Sequence, residues 1–380
     1  MPNDEREKKP AFLAEQGPLA SEAPVASPAR DADSSAEREE TVKCLVWDLD
    51  CTLWDGILLE DERVRLRPGI RETLAKLDQR GVLHSIASRN DRETAMARLR
   101  DFDLAHFFLY PQIGWQAKPL SVARILEELR LGPGALAFID DDPFERDQML
   151  YAHPAMRVFD ACEAARLAEL PDFRPRFVTA DSRRRREMYQ SDIERRVAEE
   201  GFQGPQEDFL ARLDMRFSIA RARRGDLERA EELTVRTHQL NSTGYTYSYE
   251  ELDRLRVSPG HRLWIAELED RYGSYGKIGL ALLELGAQAW TIKLLLMSCR
   301  VMSRGVGSVF LQMLMRAARR AGVKLRAEFV PTKANRQMYV TLRFAGFREI
   351  GGQTGVLLLE HECAEDLALP SHVRVEMEEE

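Results

Sequence analysis

Short apolar runs alternate with segments of helical periodicity from Thr41 to about Phe173, and this alternation constrains the fold more than any other feature. The predicted strands are 43–47, 82–87, 107–110 and 135–139, and the predicted helices are 69–80, 92–100 and 120–131. Strands and helices that follow one another at such intervals form a parallel sheet with right-handed crossovers. We therefore predict an α/β fold with a doubly wound parallel sheet for residues 41–173.

The rest of the chain follows a different pattern. Residues 1–40 contain few groups to bury, and we expect a disordered N-terminal arm. Residues 174–208 are strongly charged and are predicted to form a helical linker between the domains. Residues 209–362 mix strands and helices, which predicts a second, α+β domain, and residues 363–380 are assigned to an acidic tail.

Composition limits the function classes. With 380 residues the chain can build two cores, and its net charge of −8 argues against a nucleic-acid-binding protein. No apolar run approaches the roughly 18 residues of a membrane span. The five cysteines are scattered without CxxC spacing, which fits a reducing compartment. We expect a cytoplasmic protein with no membrane and no nucleic-acid partner.

Polar residues follow the ends of three predicted strands and precede one helix. They are Asp48, Asp50 and Thr52, then Ser88, then Lys118, and finally Asp140 and Asp141. Because ligands bind at the carboxyl ends of parallel strands, these side chains are expected to share one site. Hydroxyl and ammonium groups are donors for a phosphate, and carboxylates are ligands for Mg²⁺. The pattern predicts a site for Mg²⁺ and phosphate.

The order and spacing of these motifs resemble those of the haloacid dehalogenase (HAD) superfamily. The resemblance implies that Asp48 accepts a phosphoryl group and that Asp50 is the general acid or base. It also implies two sets of binding residues. The phosphate would be held by Thr52, Ser88, Arg89, Asn90 and Lys118, and the metal by Asp48, Asp50 (through its backbone carbonyl), Asp140 and Asp141.

Over most of residues 41–360 the chain is similar to the FkbH-like family, in which a HAD-like domain is fused to a GNAT-like domain. The similar stretches are 50–56, 138–146, 236–241, 270–273 and 298–301. The resemblance implies a role in polyketide biosynthesis. The glyceryl unit of 1,3-bisphosphoglycerate would be loaded onto the phosphopantetheine arm of an acyl carrier protein, with Mg²⁺ as cofactor.

Cys51, which stands between Asp50 and Thr52, has two interpretations. A thiolate there could attack the acyl phosphate and form a thioester, with Asp50 taking the thiol proton and Lys118 stabilising the departing phosphate. Lys118 and the cation would then lower the pKa of the thiol. Alternatively, this loop position varies freely and the cysteine has no chemical role.

Residues 304–308, between an apolar strand and a helix, resemble the pyrophosphate loop of the GNAT fold, although Met302 departs from that motif. A structural glycine turn is the alternative. The candidate residues of an acyl or pantetheine site are His238, Cys299, Arg304, Gly305, Gly307 and Asn335. His238 and Cys299 each also fit a purely structural role. The arginines of the linker could dock an acidic carrier, or they could form a solvated helix face.

Two other functions remain open from the sequence. The first is a Mg²⁺-dependent HAD phosphatase that acts through an aspartyl phosphate on Asp48. The second is a non-catalytic scaffold that holds the carrier protein.

Overall fold

The computed structural model describes residues 41–378 except 62, 354, 366 and 367, and the side chain of Cys299 is also outside what it describes. The arm predicted over 1–40 therefore lies outside the described residues. Among the described helices, none combines the length and the apolar character that crossing a membrane requires.

The first domain is built on a five-stranded parallel sheet. Its strands, together with a short antiparallel pair (β2 and β3), are β1 Cys44–Trp47, β2 Trp54–Asp55, β3 Arg65–Leu66, β4 Leu83–Ser88, β5 Gln112–Ile113, β6 Leu136–Asp140 and β7 Arg157–Asp160. The order across the sheet is β5–β4–β1–β6–β7, so β1 lies at the centre between β4 and β6.

Helices cover both faces of this sheet. They are α1 Ile70–Gln79, α2 Arg92–Asp101, α3 Lys118–Leu129 and α4 Pro143–Ala152. Neighbouring side chains of β1 point to opposite faces, as strand geometry requires. Trp47 packs into a buried cluster with α1 and α2, whereas Val46 packs into one with α3 and α4. The predicted doubly wound parallel sheet is confirmed.

The segment 107–110 is not the strand that the sequence suggested. A short 3-10 helix, Ala105–Phe107, occupies its beginning, and the edge strand β5 follows with only two residues. Tyr110 has a φ of 50°. Because the left-handed region is incompatible with extended backbone, a strand cannot run through this residue.

Three helices follow the first domain: α5 Ala180–Arg183, α6 Arg185–Glu200 and α7 Gln206–Arg212. The arginines of α6 do not form the solvated face considered above. Arg186 pairs with Asp78 of the first domain at 2.9 Å, and Arg195 pairs with Asp270 of the second at 2.7 Å. The helix is therefore bonded to both domains.

The second domain contains one eight-stranded mixed sheet. Its strands are β8 Met215–Arg221, β9 His261–Asp270, β10 Gly273–Leu285, β11 Ala289–Met297, β12 Lys324–Phe329, β13 Arg348–Gln353, β14 Val356–His361 and β15 Val373–Met377. Its helices are α8 Leu227–Arg236, α9 Tyr249–Val257, α10 Val306–Arg320 and α11 Arg336–Phe344. The strand order is β13–β14–β12–β11–β10–β9–β8–β15, and only the β11–β12 and β8–β15 pairs among these are parallel. The α+β architecture expected for the second domain is confirmed.

Part of the segment assigned to an acidic tail is instead the edge strand β15. It pairs in parallel with β8, with Val373 opposite Met215 and Met377 opposite Ile219. Apolar residues alternate with charged ones along the strand, and Val373 is buried. This alternation fits a half-buried strand, but the acidic residues around it hid the signal.

Candidate active site

The carboxyl end of the first sheet brings carboxylates and a lysine together. Asp48 follows the central strand β1, Asp140 ends β6, and Lys118 begins α3. The Lys118 ammonium lies 3.1 Å from Asp48 Oδ1 and 2.6 Å from Asp140 Oδ2. Carboxylate oxygens of Asp48, Asp140 and Asp141 lie within 4.8 Å of one another. Three carboxylates and one ammonium give this cluster a net charge of about −2 when all are ionised.

Burial dominates the electrostatics of the cluster. It raises the pKa of Asp48 to about 7, against the stabilising charge of Lys118 and with repulsion from Asp140. Burial also raises the pKa of Asp140, again opposed by Lys118. Lys118 is the main positive charge beside these carboxylates, and it does not fully offset the cost of burying them in the ionised form. A divalent cation would supply the missing charge.

The fit to a metal follows from the donor set. Hard carboxylate oxygens from three side chains are the ligands that Mg²⁺ prefers, and the charge of the cluster matches a divalent cation. Asp48, Asp140 and Asp141 could therefore hold Mg²⁺.

Thr52 and Ser88 lie where the sequence motifs expected them. The Thr52 hydroxyl accepts a hydrogen bond from the Asp141 backbone N–H at 3.0 Å and lies 3.2 Å from Asp141 Oδ1. This contact ties the loop after β1 to the loop after β6. Ser88 is the last residue of β4 and is buried beside the centre of the sheet.

Asp50 is turned away from the metal cluster. Its Oδ1 accepts hydrogen bonds from Trp54 Nε1 at 2.8 Å and the Leu58 backbone N–H at 3.0 Å. Its Oδ2 accepts one from Asn90 Nδ2 at 2.9 Å. The carboxylate of Asp50 is therefore not in the metal cluster, and any metal contact of this residue would have to use its backbone carbonyl.

Cys51 occupies a strained position in the same loop. Its φ of 51° lies in the left-handed region, and its thiol lies 3.8 Å from the Gly56 carbonyl oxygen. Partial burial and the nearby carboxylate of Asp141 raise the pKa of the thiol. The lowering expected from Lys118 is not found. Lys118 pairs with Asp48 and Asp140 instead, so the protein groups around Cys51, without a cation, disfavour the thiolate.

Arg89 and Asn90 have different surroundings, although the sequence grouped them as phosphate ligands. Asn90 is buried and its side-chain amide holds Asp50, so it positions the loop. Arg89 is 43% exposed and pairs with Glu145 at 3.1 Å. Sequence reasoning did not single out Glu145, because its role depends on a partner 56 positions away in the chain.

The structure gives different surroundings to the described residues that the sequence suggested for an acyl or pantetheine site in the second domain. His238 is exposed. Gly305, with a φ of 72°, is the N-cap of α10, and Gly307 lies in the first turn of that helix. Arg304 pairs with Glu199 of α6 at 3.1 Å. Cys299 starts a 3-10 turn, but its side chain lies outside the described structure.

Asn335 holds a segment that fills a gap in the second sheet. β11 and β12 pair only over 289–292 and 324–327, and then separate. In the gap the Met297 N–H donates to the Leu240 carbonyl, and the Ser242 N–H donates to the Leu295 carbonyl, both at 2.9 Å. The Val330 N–H, just after β12, donates to the Ser242 carbonyl at 2.9 Å.

We call residues 240–242 the gap segment. Asn241 and Ser242 are completely buried, and Asn335 Nδ2 donates to the carbonyl oxygen of Asn241 at 3.0 Å. Without the gap segment, this edge of β11 could form backbone hydrogen bonds with an extended ligand, which would join the sheet as an additional strand. The chain's own backbone takes that position in this structure.

Comparison with known proteins supports the assignment of the first domain. Residues 9–146 match the family model described as haloacid dehalogenase-like hydrolase, and of these the structure describes 41–146 except 62. The HAD resemblance of the strand-end motifs is thereby confirmed, and the chain contains a HAD-like hydrolase domain. Among curated proteins, none matches the sequence.

Solved structures that are similar to parts of the chain include a phosphatase domain and N-acetyltransferases. One is the N-terminal phosphatase-domain part of protein BF1531 from Bacteroides fragilis, complexed with Mg. It is 24% identical over 34% of this chain and 41% of its own length, with a TM-score of 0.28. Another is the ribosomal-protein-S18-alanine N-acetyltransferase from Escherichia coli, 15% identical over 38% of this chain and 92% of its own, with a TM-score of 0.31. A third is spermidine N-acetyltransferase from Vibrio cholerae in complex with CoA and spermine, 15% identical over 38% and 92%, with a TM-score of 0.29.

Proposed function

We propose that this protein is a Mg²⁺-dependent acyltransferase that loads a glyceryl unit from 1,3-bisphosphoglycerate onto the phosphopantetheine arm of an acyl carrier protein. The observation that carries the proposal is a thiol in the same loop as the metal and phosphate cluster. Cys51 stands three residues after Asp48 and next to Thr52, whose hydroxyl is bonded to Asp141. A plain phosphatase has no need for a partly accessible thiol at this position.

Mg²⁺ held by Asp48, Asp140 and Asp141 would neutralise charge on the phosphate that leaves. Lys118, fixed between two of these carboxylates, is a second positive charge for the same oxygens. The buried hydroxyls of Thr52 and Ser88 are donors that could orient the phosphate. In this proposal the carboxyl end of the sheet positions the leaving phosphate and stabilises its negative charge.

The proposed transfer has two steps. In the first, the Cys51 thiolate attacks the carbonyl carbon of the acyl phosphate, a C–S bond forms, and the C–O bond to phosphate breaks. The thiol proton passes to a carboxylate of the loop, with Asp50 as the proposed acceptor. In the second step the pantetheine thiol attacks the thioester and gives its proton to the Cys51 sulfur as that thiolate leaves.

The 3-phosphate of the glyceryl unit requires a separate reaction. Water would cleave the phosphate ester, and Asp48 is the candidate to accept the phosphoryl group first. The match to a hydrolase family favours this second activity in the same site. It also keeps a pure phosphatase, in which Cys51 has no chemical role, as the competing function.

Intact-mass analysis after addition of 1,3-bisphosphoglycerate and Mg²⁺ tests the proposal. We expect a glyceryl or phosphoglyceryl adduct on Cys51 and its transfer to a phosphopantetheinylated carrier. Cys51→Ala should reduce both to background but leave phosphate-ester hydrolysis measurable. Cys162→Ala is the matched control, because Cys162 is an exposed cysteine of the same domain.

Loading that persists in Cys51→Ala would refute the cysteine route. A scaffold, in contrast, would show normal carrier binding and no loss of any activity when Asp48 and Asp50 become Asn. A pure phosphatase would release phosphate from its substrates and form no adduct on any cysteine.

A further inference from the structure

The ion pair between Arg89 and Glu145 crosses the site described above. Arg89 directly follows Ser88, the last residue of β4, and Glu145 lies in the first turn of α4, which follows β6. β4 and β6 flank β1 on either side. A contact of 3.1 Å between Arg89 and Glu145 therefore bridges the carboxyl end of β1, where Asp48 lies.

Glu145 is buried, and only one of its two carboxylate oxygens has a partner among the described residues. The residue is 4% exposed, and its Oε1 pairs with the Arg89 guanidinium. Its Oε2 is buried and accepts no hydrogen bond from any residue that the structure describes. A buried carboxylate oxygen without a donor is unfavourable, and such a group in a native protein requires an explanation, of which a ligand is one.

Arg89 complements this acceptor. Its side chain is 43% exposed, so the guanidinium that pairs with Glu145 can also contact a ligand from solvent. Arginine presents several donors in one plane and binds phosphate or carboxylate groups well. The pair thus offers a cation for an anionic group and, beside it, an acceptor for a hydroxyl.

The geometry points to a second subsite, formed by Arg89 and Glu145, that binds the organic part of a phosphorylated hydroxy acid. Glu145 Oε2 accepts a hydrogen bond from the hydroxyl, and Arg89 binds the anionic group farthest from the metal cluster. Both residues act in binding and neither takes part in bond cleavage. The choice of a three-carbon hydroxy acid rests on the proposed function.

The experiment compares 3-phosphoglycerate with its 2-deoxy analogue, 3-phosphooxypropionate, by calorimetry on the full chain in saturating Mg²⁺. The two probes differ only in the hydroxyl. We expect the wild-type protein to bind 3-phosphoglycerate about tenfold more tightly, the contribution of one hydrogen bond to a charged acceptor. Inorganic phosphate, which lacks the organic part, reports on the metal cluster alone.

Variants then assign the two contacts. Glu145→Met, similar in size but without an acceptor, should abolish the preference for the hydroxyl and leave phosphate binding unchanged. Arg89→Met should weaken both three-carbon probes about tenfold or more while the preference persists. Asp147→Met and Arg100→Met, exposed positions on α4 and α2, are matched controls that should change neither value.

Equal binding of the two probes by the wild-type protein would overturn the subsite, and this result needs no variant. A preference that survives in Glu145→Met would also overturn it, and would leave Oε2 with a bound water only. Because calorimetry requires neither carrier nor turnover, the result is separate from the loading assay. A hydroxyl preference without carrier loading would refute the proposed function and keep the subsite.

Discussion

The two carboxylates of the Asp48–Asp50 motif show how strongly local geometry separates neighbouring residues. Asp48 points into the cluster with Lys118, whereas Asp50 is held by Trp54, Leu58 and Asn90. The left-handed Cys51 lies at the point where the loop turns. The thiol therefore belongs to the same loop as Asp48 and Asp50 and is not one of the candidate metal ligands.

His84 provides a test of the first domain's core. It is completely buried in β4, accepts a hydrogen bond from Trp47 Nε1 at Nδ1 (3.1 Å), and donates from Nε2 to the Leu74 carbonyl (3.2 Å). Only the neutral ring can make both bonds. Burial lowers its pKa to about 3.

This shift predicts a loss of stability in acid. Because the unfolded chain takes up a proton near pH 6.5 and the folded chain does not, the contribution of His84 is complete above pH 6.5. It is lost as the pH falls from there toward 3, by about 1.4 kcal/mol per pH unit. Urea unfolding at several pH values measures the slope.

His84→Gln should remove this part of the pH dependence, although the variant is less stable at pH 7. His106→Gln, at an exposed histidine of the same domain, is the control and should keep the wild-type slope. An unchanged slope in His84→Gln would show that another group causes the acid loss.

At the scale of residues, the sequence predicted the positions of Asp48, Ser88, Lys118 and Asp140 because strand ends in a parallel sheet converge. It could not predict which atoms pair. The hydrogen bonds of Asp50 and the link between Arg89 and Glu145 depend on loop conformations and on partners distant in the chain. The lowering of the Cys51 pKa that was expected from Lys118 fails for the same reason, since Lys118 pairs with Asp48 and Asp140.

At the scale of elements, the gap segment should depend on Asn335. Its side-chain amide donates to the Asn241 and Val330 carbonyls, and its own oxygen accepts from the Thr332 N–H. Asn335→Ala leaves the buried Asn241 carbonyl and the half-buried Val330 carbonyl without these donors, which costs about 1–3 kcal/mol. We expect faster hydrogen exchange at the Leu295 and Met297 amides.

Gln337→Ala is the control, because Gln337 is exposed on the same helix. Its exchange rates at these two amides should equal those of the wild type. Equal protection in Asn335→Ala would mean that the gap segment is held by its backbone hydrogen bonds alone.

Elements whose signal is local were predictable, and those that depend on distant pairing were not. The strand 83–88 and the helices 70–79 and 92–101 follow from periodicity. β15 has the alternation of a strand, but it pairs with β8, more than 150 positions earlier. The gap segment has no strand pattern at all, since its role follows from the separation of β11 and β12.

At the scale of the whole molecule, α6 joins the two domains through ion pairs, of which the one with the second domain is fully buried. Arg195 is 1% exposed and forms two hydrogen bonds with the Asp270 carboxylate, and its guanidinium lies 3.7 Å from the centre of the Tyr275 ring. The sequence suggested a solvated face because acidic residues alternate with the arginines. Arg195 is buried instead because it pairs with Asp270, which lies 75 residues further along the chain.

Arg195→Met should therefore be strongly destabilising. Removing one partner leaves the buried Asp270 uncompensated, which costs about 3–5 kcal/mol. Denaturant unfolding followed by fluorescence and by circular dichroism measures the loss. Arg183→Met, at an exposed arginine in the preceding α5, should stay within about 0.5 kcal/mol of the wild type. A loss below 1 kcal/mol in Arg195→Met would mean that this ion pair adds little to the joint.

Because the gap segment lies between β11 and β12, the stability of the second domain should depend less on small molecules in the cell. A fold that leaves a cleft for a cofactor is more stable when the cofactor is abundant, because ligand binding favours the folded state. Here the gap segment already supplies the hydrogen-bonding partners of β11 from within the chain. The lifetime of this domain should accordingly not follow the supply of any coenzyme that would add a strand at that edge.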